Sequence, residues 1–129
     1  MIQALQCSDH IFKLKYYIKM AHIEFKEEEG TEFNKLIEEH KDKPTFVDFF
    51  AEWCGPCKVL KPMLEKTCAD KGFNFISVNV DENEQISEEY GVQGIPYVVL
   101  FLKGKKVFDF QGANTKKLDE AVALAEKSK

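Results

Sequence analysis

From residue 21 onward, short runs of apolar, β-favouring residues alternate with segments whose apolar residues recur at helical spacing. His22–Phe25 reads as a short strand. Thr31 is placed to cap a helix through His40, with Phe33, Leu36 and Ile37 on one face. Pro44 precedes a strong strand, Thr45–Phe50, and the next helix starts near Cys54–Cys57 and runs to about Asp70. Inside that helix, Pro62 removes one backbone donor and is expected to kink the axis. Phe73–Val80 is apolar at both parities, as expected of a strand covered on both faces. Asp81–Tyr90 reads as a short helix stopped by Gly91. Ile95–Leu102 is almost wholly apolar, and Lys103-Gly104 suits a tight turn into Lys105–Gln111, so these two strands form an antiparallel hairpin. Asn114 can cap a last helix with a stripe of Leu118, Ala121, Val122 and Ala125. The order βαβαβαββα implies an α/β fold, a central mixed five-stranded sheet flanked by four helices on both faces.

Composition fits one soluble domain. The chain has 129 residues, and a domain usually takes about 100–200. Apolar residues at 44% and charged residues at 31% exclude a wholly disordered chain. No run approaches the about 20 apolar residues of a membrane span, so no membrane partner is expected. The net charge is −4 and all 18 basic residues are Lys, which argues against a nucleic-acid partner.

Residues 1–20 differ from the rest. They hold one acidic residue, Asp9, and three lysines, Lys13, Lys15 and Lys19, leaving 21 acids and 15 lysines in residues 21–129. The lysines interrupt the apolar patches before a signal-peptide core can form. Acid-poor composition is shared with mitochondrial presequences, but this segment has no Arg and only one Ser. Residues 1–20 are therefore read as an N-terminal extension of unknown role and 21–129 as the domain. A cytoplasmic location is expected, with an organelle as the alternative if the extension targets.

The four cysteines, Cys7, Cys54, Cys57 and Cys68, are too few for a disulfide scaffold. Two of them form the segment Trp53-Cys54-Gly55-Pro56-Cys57-Lys58, at a junction from strand to helix. Cys-x-x-Cys beside a βαβ pattern reads as a redox pair, or less often as half a zinc site. The first helical turn has free N–H groups and the positive end of the macrodipole. A thiolate there is stabilised, which lowers its pKa. Cys54 at the helix entrance is the expected attacking thiolate. Cys57, one turn further in, is the expected second thiol, which a mixed disulfide requires for its resolution. Pro56 stiffens the turn and suits a first helical position.

This segment resembles the active site of the thioredoxin family, and the resemblance extends over about residues 21–129. It implies a thioredoxin fold and a protein-disulfide reductase acting by dithiol–disulfide exchange. Asp48, six residues before Cys54, stands where the family carries a buried Asp. Pro62 stands where the family kinks its helix, and Gly94-Ile95-Pro96 stands where its proline is cis; Gly91 and Gly112 also match. In an apolar strand an unpaired Asp48 is costly, so its pKa should be raised toward that of a base working near pH 7. Its implied role is to take the proton of Cys57. A cis Ile95–Pro96 bond would expose the Ile95 backbone to an extended substrate segment. Trp53, Gly55, Pro56, Ile95 and Pro96, with Gly94, Gly112 and Ala113, are the expected substrate-binding rim around Cys54. The resemblance further implies an NADPH-dependent, flavin-containing thioredoxin reductase as electron source and disulfides in proteins as substrates. No bound cofactor is expected beyond the redox-active Cys54–Cys57 disulfide; no Gly-x-Gly-x-x-Gly motif is present. No metal site and a monomeric state are expected.

Departures from the family pattern are Phe50, where many members have a second Trp, and Ser77, where many bacterial members have a Lys close to the buried Asp. Loss of that charge should raise the Asp48 pKa further. Cys68, eleven residues after Cys57, faces roughly as Cys57 does and is expected to be a small buried packing residue. Cys7 lies outside the resemblance, and His10, His22 and His40 receive no role. Three rivals have discriminating features. An oxidase or isomerase would favour a His before the second cysteine rather than Gly-Pro. A binding subunit would use the rim without the thiols. A zinc site through Cys54, Cys57 and Cys68 lacks a suitably spaced fourth ligand.

Overall fold

The computed structural model describes residues 22–27 and 32–128. The extension 1–20, Cys7, His10 and the expected cap Thr31 lie outside the described residues. The strands are β1 (His22–Phe25), β2 (Thr45–Phe50), β3 (Asn74–Asn79), β4 (Tyr97–Leu102) and β5 (Lys105–Gln111). The helices are α1 (Phe33–Glu39), α2 (Gly55–Lys71), α3 (Glu84–Glu89) and α4 (Thr115–Lys127). Every expected element is present in the expected order, with ends shifted by a few residues. The largest shift is at α3, where the chain spends Asp81–Asn83 on a turn before the helix begins.

The strands pair in the order β1-β3-β2-β4-β5. β1, β3 and β2 run parallel, while β4 is antiparallel to both β2 and β5. Parallel neighbours need long crossovers, and helices supply them, so both faces of the sheet become covered. One core lies between the sheet and α2 and α4. There Phe46, Phe75, Val98 and Leu100 meet Leu60, Leu64, Cys68, Leu118 and Ala121. The other lies beneath α1 and α3, where Val47, Phe49, Ile76 and Val99 meet Phe33, Leu36, Ile37 and Ile86. Alternation along β2 sends Phe46, Asp48 and Phe50 to the first face, and Thr45, Val47 and Phe49 to the second. Each fully buried Phe is worth about 1.5–3 kcal/mol of transfer free energy, so the nine Phe residues buried among the described residues weigh heavily in the fold.

Local signals end the elements. Gly72 takes the left-handed conformation at φ 73° and closes α2, which a residue with a Cβ does at a cost. At the β4–β5 hairpin both Lys103 and Gly104 have positive φ, the requirement of a type I′ turn. Asn114 caps α4 by accepting from the Lys117 N–H at 3.1 Å. Helix α3 is capped from a distance: the Ile86 N–H donates to Glu27 Oε1 at 2.6 Å, and its own N-cap residue, Asn83, turns inward.

Candidate active site

The end of β2 and the start of α2 bring the redox pair to the surface of the sheet's carboxyl edge. Cys54 is the N-cap of the seventeen-residue helix, Gly55 its first residue, and Pro56 its second rather than its first. Cys54 and Cys57 are joined in a disulfide with Cα atoms 5.3 Å apart, within the ordinary range for such a bridge. The Cys57 N–H points at Cys54 Sγ, 3.2 Å away. An unpaired donor of the first turn is thus aimed at the sulfur, and it favours the thiolate when the pair is reduced. Cys54 Sγ also lies 3.8 Å from the Ile95 carbonyl oxygen.

Burial hardly separates the two cysteines, at 5% and 2% exposure. Their surroundings do. Cys54 faces the loop before β4, through Ile95. Cys57 packs with Phe50 and Ala51 and borders a cavity of about 260 Å³ lined also by Glu52, Lys58 and Lys61. Phe50 leaves β2 on the same face as Asp48, and the cavity that Phe50 and Lys61 line is bordered by Cys57 and not by Cys54.

Asp48 is wholly buried, and neither carboxyl oxygen has a hydrogen-bond partner. Burial pushes its pKa up from 3.8 to about 7, with Lys61 pulling it down and Glu65 raising it. The positive charge absent at Ser77 is therefore partly supplied from above the sheet. Lys61 lies on α2 with its Nζ 3.9 Å from the centre of the Phe50 ring.

The expected rim residues fall around the loop ends. Trp53 is 71% exposed, and its indole N–H donates to Asp81 at 2.9 Å. Gly55, Pro56 and Ala113 are exposed, Gly94, Ile95 and Gly112 are half-buried, and Pro96 is buried. The Ile95–Pro96 bond is cis, and the Gly112 N–H donates to the Pro96 carbonyl at 2.7 Å. A Cβ at Gly94 would run into the Gln111 side-chain amide. Cys68 is fully buried in the α2–α4 core, and burial drives its thiol well above the ordinary range. Among the described residues no cluster of three or more His, Cys, Asp or Glu could hold a metal ion, and no helix is long and apolar enough to cross a membrane.

Four side chains around this site carried no role from the sequence: Asp81, Lys61, Glu65 and His22. Lys61 and Glu65 follow Cys57 at intervals of four on α2, a spacing that puts all three on one face. Asp81 and His22 reach the site only through tertiary pairing.

A thioredoxin family model matches residues 24–124. Human thioredoxin is 38% identical over 97 residues, covering 74% of this chain and 91% of that protein. Mitochondrial thioredoxin-2 of Schizosaccharomyces pombe is 46% identical over 83 residues, covering 64% of this chain and 62% of that protein, less than two thirds of its length. Among solved structures, spinach chloroplast thioredoxin f (short form) superposes with a TM-score of 0.72 at 28% identity, covering 83% of this chain and 95% of that one. The reduced Schistosoma mansoni thioredoxin pre-protein gives 0.70 at 33% identity, covering 81% and 97%. With the disulfide at the entrance of α2, these matches place the chain in the thioredoxin family, thiol–disulfide oxidoreductases that act by dithiol–disulfide exchange, with Cys54 and Cys57 as its redox pair.

Proposed function

We propose that the chain reduces disulfides in proteins, with Cys54 as nucleophile, Cys57 as resolving thiol and Asp48 as base. The observation that carries this reading is the aim of the Cys57 N–H at Cys54 Sγ, at the entrance of α2. The Cys54 thiolate attacks one sulfur of the target, and the other sulfur leaves as a thiolate that takes a proton from solvent. Asp48 removes the Cys57 proton. The Cys57 thiolate then attacks Cys54 Sγ, the mixed disulfide breaks, and the second target sulfur leaves and is protonated. Two electrons pass to the target, and the Cys54–Cys57 disulfide remains.

Trp53, Gly55, Pro56, Ile95 and Pro96, with Gly94, Gly112 and Ala113, form the docking rim in this reading. The exposed indole of Trp53, anchored by Asp81, supports it, as does the Ile95 carbonyl beside Cys54. An NADPH-dependent flavin reductase of the thioredoxin reductase type returns electrons to the pair, and the chain works as a monomer without a bound cofactor. Residues 21–129 form the domain and residues 1–20 an appended segment. The cytoplasm is the location in this reading, with an organelle as the second one, favoured by the name of the mitochondrial Schizosaccharomyces pombe relative.

Reduction of insulin disulfides by the wild type and Cys54→Ser tests the proposal. Turnover by the wild type and its loss in the variant, by at least a thousandfold, is expected, because nucleophile removal eliminates the covalent route. Retained turnover in Cys54→Ser would overturn it.

A further inference from the structure

A base buried at Asp48 needs an outlet for its proton. The carboxyl has no exposed surface, and its β4 neighbour in register is the apolar Val98. On the other side, in β3, its register partner is Ser77. Register partners project from the same face of a sheet, so Ser77 and Asp48 share one face on adjacent strands, without a hydrogen bond between them. Ser77 Oγ lies 3.1 Å from His22 Nε2. His22 Nδ1 lies 2.7 Å from Glu65 Oε1, with the two side chains 34% and 39% exposed. The series begins beside Asp48 and ends at two part-exposed side chains, His22 on the edge strand β1 and Glu65 on α2.

The hydrogen bonds set the direction of donation. Glu65 as a carboxylate accepts only, so it holds the proton of a neutral His22 on Nδ1. Nε2 is then an acceptor, and the Ser77 hydroxyl donates to it. The lone pairs of Ser77 Oγ remain to accept from a protonated Asp48 once the two side chains turn toward each other, since they make no hydrogen bond in this structure. We propose that Ser77, His22 and Glu65 form the path by which the proton Asp48 takes from Cys57 leaves for solvent. This rests on the reading of Asp48 as base.

The transfer balances without electrons moving. Protonated Asp48 gives its proton to Ser77 Oγ as the Ser77 proton passes to His22 Nε2. The imidazolium releases its Nδ1 proton to Glu65 and onward to water. Asp48 returns to carboxylate, one proton has been carried outward, and His22 is left with its proton on Nε2, so the ring regains the Nδ1 tautomer before the next turnover. The charged groups around the path are Glu24 on β1 and Lys61 and Glu65 on α2. Burial and Lys61 lower the His22 pKa while Glu65 and Glu24 raise it, and the outcome lies below its ordinary value. A lowered pKa favours the neutral ring and speeds the release of a proton it has taken up. The same Ser–His–Glu order serves nucleophiles elsewhere, but Ser77 is fully buried and no external substrate reaches its oxygen.

Stopped-flow reduction of insulin by the reduced protein, in dilute buffer from pH 6 to 9, tests the path. His22→Gln and Ser77→Ala are expected to slow the resolving step about three- to tenfold, with attack by Cys54 unchanged. Concentrated imidazole should restore His22→Gln, whose site at the sheet edge is part-exposed, and not Ser77→Ala, whose site is buried. Wild-type rates and pH profiles in both variants, beside a slow Asp48→Asn, would overturn the path and leave the base intact. Slowing of His22→Gln that imidazole does not relieve would also overturn it, since a merely structural role gives that result. An unchanged Asp48→Asn would remove the base and the path together. Should Ser77→Ala fail to fold, His22→Gln at the sheet edge decides.

Discussion

Asn83 and Asp48 are equally buried, at 0% exposure each, yet the structure treats them in opposite ways. Asn83 is satisfied. Its Nδ2 donates to the carbonyls of Phe25 and Asn79 at 3.2 and 2.9 Å, and its Oδ1 accepts from the Glu27 N–H at 2.8 Å. Those bonds tie the end of β1 to the start of α3. Asp48 has no hydrogen bond on either oxygen. Burying a polar group without a partner costs a few kcal/mol, and burying a charge costs more. A fold maintains such a group only against its own stability, which supports the proposed role of Asp48 as base and sets it apart from Asn83, whose bonds hold the fold together. Burial alone does not separate the two roles; satisfaction does.

The strongest way to break this contrast is through pH. The Asp48 carboxyl titrates at about 7 when folded, against 3.8 ordinarily. Below pH 3.8 it is neutral in both the folded and the unfolded chain, and it adds no penalty. As the pH rises through this window the unfolded chain ionises first, so the folded state loses ground. Above the folded value the loss is complete, on the order of 4 kcal/mol. Asp48→Asn removes that slope, so urea unfolding of the oxidised variant should depend on pH less steeply than the wild type between pH 4 and 8. The same variant should reduce insulin at least tenfold more slowly. Identical pH slopes would show that Asp48 is satisfied after all.

Asn83→Ala should do the reverse. It removes the side-chain partner of the Phe25 carbonyl and of the Glu27 N–H, while the Asn79 carbonyl keeps the Glu82 N–H, costing about 2 kcal/mol in urea unfolding. Its insulin reduction should stay within about twofold of the wild type, as expected of a change acting on the fold rather than on transition-state stabilisation. A large loss of turnover without loss of stability would break the contrast from the other side. Asn114→Ala sharpens it by removing an exposed bond of the same kind. Its cap on α4 should be worth about 1 kcal/mol, less than Asn83 because water replaces the lost partner.

The alternation of elements was legible because each carries its own period and its own stop. Gly72 and Lys103-Gly104 end elements through backbone geometry that depends on neighbouring residues alone. The cysteine pair was legible for the same reason, since three residues within one turn fix its geometry. The burial of Asp48 followed from its apolar strand. The Asp48 surroundings did not follow. Ser77 was noticed for the Lys it lacks, and the charge that replaces it comes from Lys61, on another element. His22 received no role because its partners, Ser77 and Glu65, are 55 and 43 positions away in the chain. The start of α3 was misplaced because its cap, Glu27, lies on a distant segment.

By itself, the sequence determined the element order, the faces of the strands and the helix-entrance position of the two thiols, since these rest on local periodicity and backbone preference. Tertiary structure alone decided which strands became neighbours: β3 between β1 and β2, with β4 on the other side of β2. That choice set Ser77 beside Asp48 and brought His22 to Ser77. It also left the carboxyl with only an apolar partner on its other side. Side-chain chemistry is a property of a residue, but the cost of a buried charge is a property of everything around it.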